Sequence, residues 1–264
     1  MMRYNCSKII LHKSLKCVII GLDNEEKTSI IIRFGFELNG RLGKYEEDLT
    51  MYNFEYVSKK EAAMAKNELI EIINEVQDIL RNKDVSFQFQ FIGSSSRNMI
   101  TCDRKSNIGY DFDVNLDVFY DEDRYAPGEI KHIMMDAFNL VVRRYGYGYC
   151  EDSTRVFTIK KIDHWRSKIL QSCDFAIVNN YTDKAGSVLQ QYIRFNKEQR
   201  SYVWADQTKG YYTKPKEDWL KKHGYWDEVL DRYLYKKNNN AGLVKKSRAL
   251  YAEAINEIYM KHRA

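Results

Sequence analysis

The sequence predicts an α+β fold, and three observations carry that prediction. A capped amphipathic helix over residues 58–82 runs straight into a strictly alternating strand at 85–91. A second alternating strand follows at 110–119, with two further β-rich stretches at 154–160 and 173–178. Beyond residue 215 the pattern turns helical, over Lys216 to Tyr235 and Val244 to Lys261.

Each element has a local cause. Cys17–Ile20 and Ser29–Phe36 are β-branched or aromatic and flank the polar turn Asp23-Asn24-Glu25-Glu26, which predicts a hairpin. Residues 37–57 are polar, contain glycine and receive no assignment. Ser58-Lys59-Lys60-Glu61 is a capping box, in which the serine hydroxyl takes an N3 amide and the glutamate reaches back to the cap. Met64, Leu69, Ile72, Ile73, Val76, Ile79 and Leu80 then recur at three and four, one apolar stripe of a helix. In Val85–Phe91 apolar and polar residues alternate, the pattern of a half-buried strand. Gly128 to Tyr145 reads as helical, with Pro127 opening it. Asn238-Asn239-Asn240-Ala241-Gly242 separates the last two helices. The expected organisation is a β-rich extension over 1–57 packed on the core, a core domain over 58–200 and a helical C-terminal segment over 201–264.

Composition narrows the function classes. The chain has 264 residues, 44% hydrophobic and 30% charged, long enough to bury a sizeable core. Its longest apolar runs fall far short of the ~18–20 residues that a helix needs to cross a bilayer. The net charge is +5, and residues 201–264, with 13 basic and 8 acidic side chains, carry all of it. That segment is either a solvated basic face or an attractor of phosphate. Five cysteines without a CxxC, and an N-terminus without the apolar core of a signal peptide, predict a reduced, cytoplasmic protein.

The chemistry concentrates in three places. Period two puts Asp111 and Asp113 on one face of a strand, about 7 Å apart along the backbone. Like charges so close need neutralising, and carboxylate oxygens are the ligands that Mg²⁺ prefers. Asp174, in another predicted strand, could supply a third carboxylate, and three carboxylates on adjacent strands can hold two metals for displacement at phosphorus. Gly93-Ser94 lies where a strand turns, expected to lead into a helix. There glycine permits close backbone approach, exposed amides favour phosphate and the serine hydroxyl adds a donor. The alternative for Asp111 and Asp113 is the wet face of an edge strand, as for Asn115 and Asp117.

Taken together, the long capped helix, Phe91-Ile92-Gly93-Ser94, Asp111-Phe112-Asp113-Val114 and Cys173-Asp174-Phe175-Ala176-Ile177-Val178 resemble the DNA polymerase β-like nucleotidyltransferase superfamily. The similarity is greatest to the branch of oligoadenylate synthases, cyclic GMP–AMP synthase and bacterial CD-NTases, with residues 58–82 standing as its spine helix. The resemblance covers residues 58 to 180. It implies a mixed-sheet nucleotidyltransferase core and transfer of a nucleoside monophosphate from an NTP to a hydroxyl, releasing pyrophosphate. It also implies two Mg²⁺ (or Mn²⁺) ions. Asp111 and Asp113 would bind both, and Asp174 would bind the ion that activates the attacking hydroxyl and would help remove its proton. Ser94, beside Gly93, would hold the terminal phosphates. The acceptor stays open: a second nucleotide, giving a cyclic or linear signal, or else a tRNA, a protein or a small molecule. RNA or a protein is a possible activator, and a non-catalytic nucleotide- or RNA-binding relative is the reading from another class. In one respect the chain departs from the family. Sixteen residues, 95–110, separate Ser94 from Asp111, more than the family usually shows.

Other side chains invite weaker readings. Tyr147, Tyr149, Tyr211 and Tyr212 could stack on a base or simply pack. Lys209, Lys214 and Lys216, near Pro215, could serve a triphosphate or acceptor site or simply make a basic loop, and Arg155 and Lys160 could face a triphosphate. Ser95 and Ser96 read as loop and cap residues, and Asp121-Glu122-Asp123 as a solvated turn. None of the five histidines makes a metal spacing.

Overall fold

The computed structural model describes residues 52–208 and 210–263 in full, and three earlier strands as backbone only. The chain divides into two compact units, residues 1–52 with 238–244, and residues 53–237 with 245–264. In the first unit β1 (Lys16–Ile19), β2 (Ile30–Leu38) and β3 (Arg41–Leu49) form an antiparallel sheet in the order β1-β2-β3. The expected hairpin is there, with Cys17 opposite Phe34, and part of the unassigned stretch 37–57 supplies its third strand. The predicted turn at 23–26 lies outside the described residues, as do Cys6 and Lys209.

The second unit opens with β4 (Phe54–Tyr56) and α1 (Lys59–Arg81). The capping box is formed: Glu61 N donates to Ser58 Oγ at 3.2 Å, and Ser58 N donates to Glu61 Oε2 at 3.3 Å. Ala65, Leu69, Ile72, Ile73, Val76 and Leu80 are the buried face of α1. Met64 is not part of it. It stands about 100° around the helix from Ala65 and is 66% exposed.

β5 (Ser86–Ile92), β6 (Thr101–Asp103), β7 (Tyr110–Phe119) and α2 (Pro127–Val141) follow. Helix α2 is shorter than expected, because Val142–Tyr145 tightens into a 3₁₀ turn. Then come β8 (Glu151–Asp152), β9 (Phe157–Asp163), β10 (Lys168–Thr182), β11 (Val188–Asn196) and β12 (Ser201–Asp206). The main sheet runs β12-β11-β10-β7-β5, with β9 also on β10 and β8 on β9. Strand β10 is its axis. One edge of it pairs in parallel with β7, while the other takes β9 along its first half and β11 along its second. The sheet therefore runs on to Asp206, past residue 200.

Helices α3 (Lys214–Lys222), α4 (Trp226–Asn238) and α5 (Ser247–Arg263) complete the chain. The single helix expected over 216–235 is two, because Gly224 adopts φ 79°, a left-handed conformation that ends α3. The sheet and helices α1 and α2 enclose the larger core, in which Phe138, Phe157 and Phe175 sit with ring centroids 4.5–5.2 Å apart. Each such ring contributes about 1.5–3 kcal/mol on burial. A second core joins α3, α4 and α5 to Met99. Lys131, 1% exposed, is held by Asp152 at 2.6 Å and by the Ser153 carbonyl at 2.8 Å, so its buried charge is satisfied. Cys102, Cys150 and Cys173 are free thiols. Among the described residues no helix is long and apolar enough to cross a membrane.

Candidate active site

Alternation along β7 buries Phe112, Val114, Leu116 and Val118 in the core and turns Asp111 and Asp113 to the opposite face. In the parallel register of β10 on β7, Asp174 stands directly opposite Asp113 and Ser172 opposite Asp111. The three carboxylates thus occupy neighbouring positions on one face, with adjacent strands about 4.8 Å apart. Ser172 Oγ donates to Asp111 Oδ1 at 2.9 Å. Thr158, opposite Asp174 on β9, donates its hydroxyl to Asp174 Oδ1 at 2.5 Å.

The Gly-Ser turn reaches the same place. Ile92, the last residue of β5, is opposite Asp113. Gly93 follows at φ 64°, and a Cβ built there would overlap Asp113 Oδ2. Only glycine fits, both for its conformation and for the closeness of the carboxylate. Ser95 Oγ donates to the Ile92 carbonyl at 2.7 Å and Ser96 Oγ to the Gly93 carbonyl at 2.9 Å, so both hydroxyls tie the turn to itself. The turn leads into a single 3₁₀ turn, Ser95–Arg97, and not into the helix that was expected. No helix N-terminus is therefore available here for phosphate. The sixteen residues 95–110 are accommodated by that turn, by β6 and by the loop before β7, and they leave Gly93 seated against Asp113.

The electrostatics follow from crowding. Surrounding protein pushes the Asp113 carboxyl up to about 7, and the charges of Asp111 and Asp174 add to the shift. Asp111, at the solvent-open rim, is raised to about 6, first by desolvation and then by Asp174. Two cations oppose this. Lys237, at the end of α4, favours the charged form of Asp111, and Arg97 that of Asp113. The Lys237 ammonium donates to Thr101 Oγ1 at 2.6 Å, and burial lowers it to about 8. The Arg97 guanidinium lies 4.2 Å over the ring of Tyr251, and its Nε is buried without a hydrogen-bond partner. Tyr251 and Tyr233 meet edge to face at 5.9 Å, so α4 and α5 wall this side of the carboxylates.

The donor set fits hard divalent cations. It offers three carboxylates whose mutual repulsion is only partly offset, with oxygens as their sole ligating atoms. Among the described residues no three such side chains are already gathered around one point. Asp111 and Asp174 instead each spend one oxygen on a neighbouring hydroxyl.

Several weaker readings are now placed. Tyr147 is 1% exposed and bonded to Glu68, so it packs in the core and offers no face to a base. Asp117 accepts from Asn180 Nδ2 at 2.7 Å. Lys160 pairs with Glu151 at 2.5 Å, Lys214 with Asp218 at 2.5 Å, and Lys216 with Asn256 at 2.6 Å. Arg155 lies over the ring of Tyr192. Four residues at the site were missed: Arg97, Thr158, Ser172 and Lys237. Ser172 shares the face of Asp174 by period two, a signal present in the sequence. Thr158 and Lys237 depend on strand pairing and helix packing that the sequence does not display.

Fold and site together define a mixed-sheet α+β chain that carries a carboxylate trio beside a Gly-Ser turn. Among solved structures it is similar to the STING-associated CdnE c-di-GMP synthase from Capnocytophaga granulosa, at 16% identity over 76% of this chain and 61% of that one, TM-score 0.48. It is also similar to Vibrio cholerae DncV in its GTP-bound form, at 15% identity over 77% and 52%, TM-score 0.44. A third is the Bradyrhizobium diazoefficiens CD-NTase CdnG in complex with GTP, at 14% identity over 70% and 49%, TM-score 0.41. The chain spans about half to three-fifths of the length of these structures. No family model and no curated protein matches it.

Proposed function

We propose that the chain is a metal-dependent nucleotidyltransferase, which moves a nucleoside monophosphate from an NTP to a hydroxyl and releases pyrophosphate. One observation carries the reading: Asp174 is opposite Asp113 in register while Gly93 abuts the Asp113 carboxylate. Three acids at neighbouring positions beside a close-approach turn serve no purpose in the larger core, which lies on the other face of β7.

The residues divide the work. Asp111, Asp113 and Asp174 would hold Mg²⁺ or Mn²⁺, which when bound neutralises phosphate charge and lowers the pKa of the attacking hydroxyl. Ser94 and Arg97 lie on the turn beside Asp113, where a hydroxyl donor and a guanidinium with an unmet Nε suit the terminal phosphates. Asp174 takes the proton of the acceptor hydroxyl. That oxygen bonds to the α-phosphorus, and the bond to the β-phosphate oxygen breaks with its electrons on pyrophosphate. Thr158 fixes Asp174 for this task through its 2.5 Å hydrogen bond. Catalysis is positioning plus charge neutralisation.

The acceptor we favour is a second nucleotide, which makes the chain a CD-NTase-like synthase of a linear or cyclic oligonucleotide. The deciding experiment supplies labelled NTPs with Mg²⁺ or Mn²⁺, with and without RNA, and resolves the products. Oligonucleotides from NTPs alone support this acceptor. Pyrophosphate release only on addition of tRNA, protein or a small hydroxylated molecule would assign the chain to a modifying transferase. NTP binding that is indifferent to metal, with no product, would overturn the enzymatic reading.

A further inference from the structure

A well-formed cavity among the described residues of the second unit lies away from the carboxylates. It encloses about 700 Å³ and lies between α1, the turn after β6 and the starts of β7 and β10. Its floor includes Tyr110 and Gln171, a register pair one position before Asp111 and Ser172. Both point to α1: Tyr110 donates to Glu61 at 3.2 Å and Gln171 to Glu68 at 3.0 Å. The cavity therefore opens on the face opposite the three aspartates. Its size falls within the ~300–1,000 Å³ usual for small-molecule sites.

Its lining specifies an occupant. The acids are already satisfied. Glu61 is bonded by Ser58, Arg104 and Tyr110, Glu68 by Lys161 at 2.7 Å, and Asp103 by the amides of Lys105 and Ser106. Two cations lack a close acid partner among the described residues. Arg166 pairs with Asp163 only loosely, at 4.0 Å, and the Lys168 ammonium bonds the Arg104 carbonyl at 3.0 Å. Beside them Met64 and Leu170, 66% and 47% exposed, present bare apolar surface to the hollow. Exposed apolar side chains in a concavity mark a binding surface, and the unmatched cations set the sign of its guest.

We infer that this cavity binds an amphipathic organic anion, a molecule with a flat apolar body to lie on Met64 and Leu170 and an acidic group to meet Arg166 and Lys168. The site is separate from the nucleotide reading and stands or falls without it. Anilinonaphthalene sulfonate, an aromatic body bearing one sulfonate, is the probe. Titrated into the full chain and followed by fluorescence, it should saturate at one equivalent. Met64→Glu and the double variant Arg166→Glu/Lys168→Glu, at two exposed positions and one half-buried one, each checked for an intact fold by circular dichroism, should each weaken the dissociation constant at least ~10-fold. Asp113→Asn should leave it unchanged, and ATP with Mg²⁺ should not displace the probe. Absence of saturable binding, binding indifferent to both wall variants, or displacement by ATP would each overturn the assignment.

Discussion

The Thr158 hydroxyl donates a 2.5 Å hydrogen bond to Oδ1 of Asp174, across the antiparallel pair that β9 makes with β10. It is the link between the third acid and a strand that carries no acid of the trio. Removing a group that orients a ligating carboxylate typically costs 10–100-fold in activity or metal affinity. Thr158→Val should therefore lower turnover at least ~10-fold with little change in the KM for NTP, and Thr158→Ser should restore most of it. Steady-state pyrophosphate release separates the two parameters.

Gly93 allows no side chain. Gly93→Ala places a methyl against Asp113 Oδ2 and forces a left-handed backbone on alanine, which costs roughly 1–2 kcal/mol. The expected outcome is a modest fall in unfolding midpoint with loss of at least ~100-fold in pyrophosphate release. A variant that loses stability but keeps its rate would separate the turn from the chemistry.

The carboxylates make the metal-free protein sensitive to pH. Asp111 and Asp113 are raised to about 6 and about 7, whereas the unfolded chain titrates them near ~3.9. The folded state thus holds its protons more tightly. Their contribution is full below about pH 4 and is lost as pH rises through the folded values. Thermal melts in chelator should show stability falling between about pH 4 and pH 7. Mg²⁺ should raise the melting temperature at pH 8 and much less at pH 5. Asp113→Asn should melt higher than the parent chain in chelator at pH 8.

Arg97 meets the site from the turn, over Tyr251 and with its Nε unbonded. Arg97→Gln keeps much of the volume and removes the charge. The KM for NTP should rise about 10-fold, and this loss should exceed any loss in turnover, because a guanidinium on the terminal phosphates binds substrate before it aids the reaction.

Ser58 tests the fold independently of the site. Ser58→Ala removes the hydroxyl half of the capping box, leaving the residue-58 amide on Glu61, and should cost about 1 kcal/mol in urea unfolding, with activity unchanged.

The parts of this structure that were legible are those set by local periodicity and local chemistry. Ser58 to Glu61 announced α1, and alternation in Val85–Phe91 and 110–119 announced β5 and β7. The same period put Asp111 and Asp113 on one face before any partner strand was known. The seating of Asp174 near Asp113 is an expectation from resemblance, since parallel pairing joins residues 61 apart with no local trace. Strands β11 and β12 leave a fainter trace: Tyr202-Val203-Trp204 has strand composition, but their polar positions are less regular than those of β5. Met64 fell in with the apolar stripe because a count of threes and fours does not distinguish it from Ala65, which faces the core. Arg97, three residues past Ser94, gained its meaning only once Tyr251 of α5 lay beneath it.

The most direct test of the central claim measures pyrophosphate release from NTPs with Mn²⁺ for the parent chain and for Asp111→Asn, Asp113→Asn and Asp174→Asn, each checked for an intact melting transition. The account predicts release by the parent chain and a loss of at least ~1,000-fold in all three variants. Turnover retained by any one of them would contradict it.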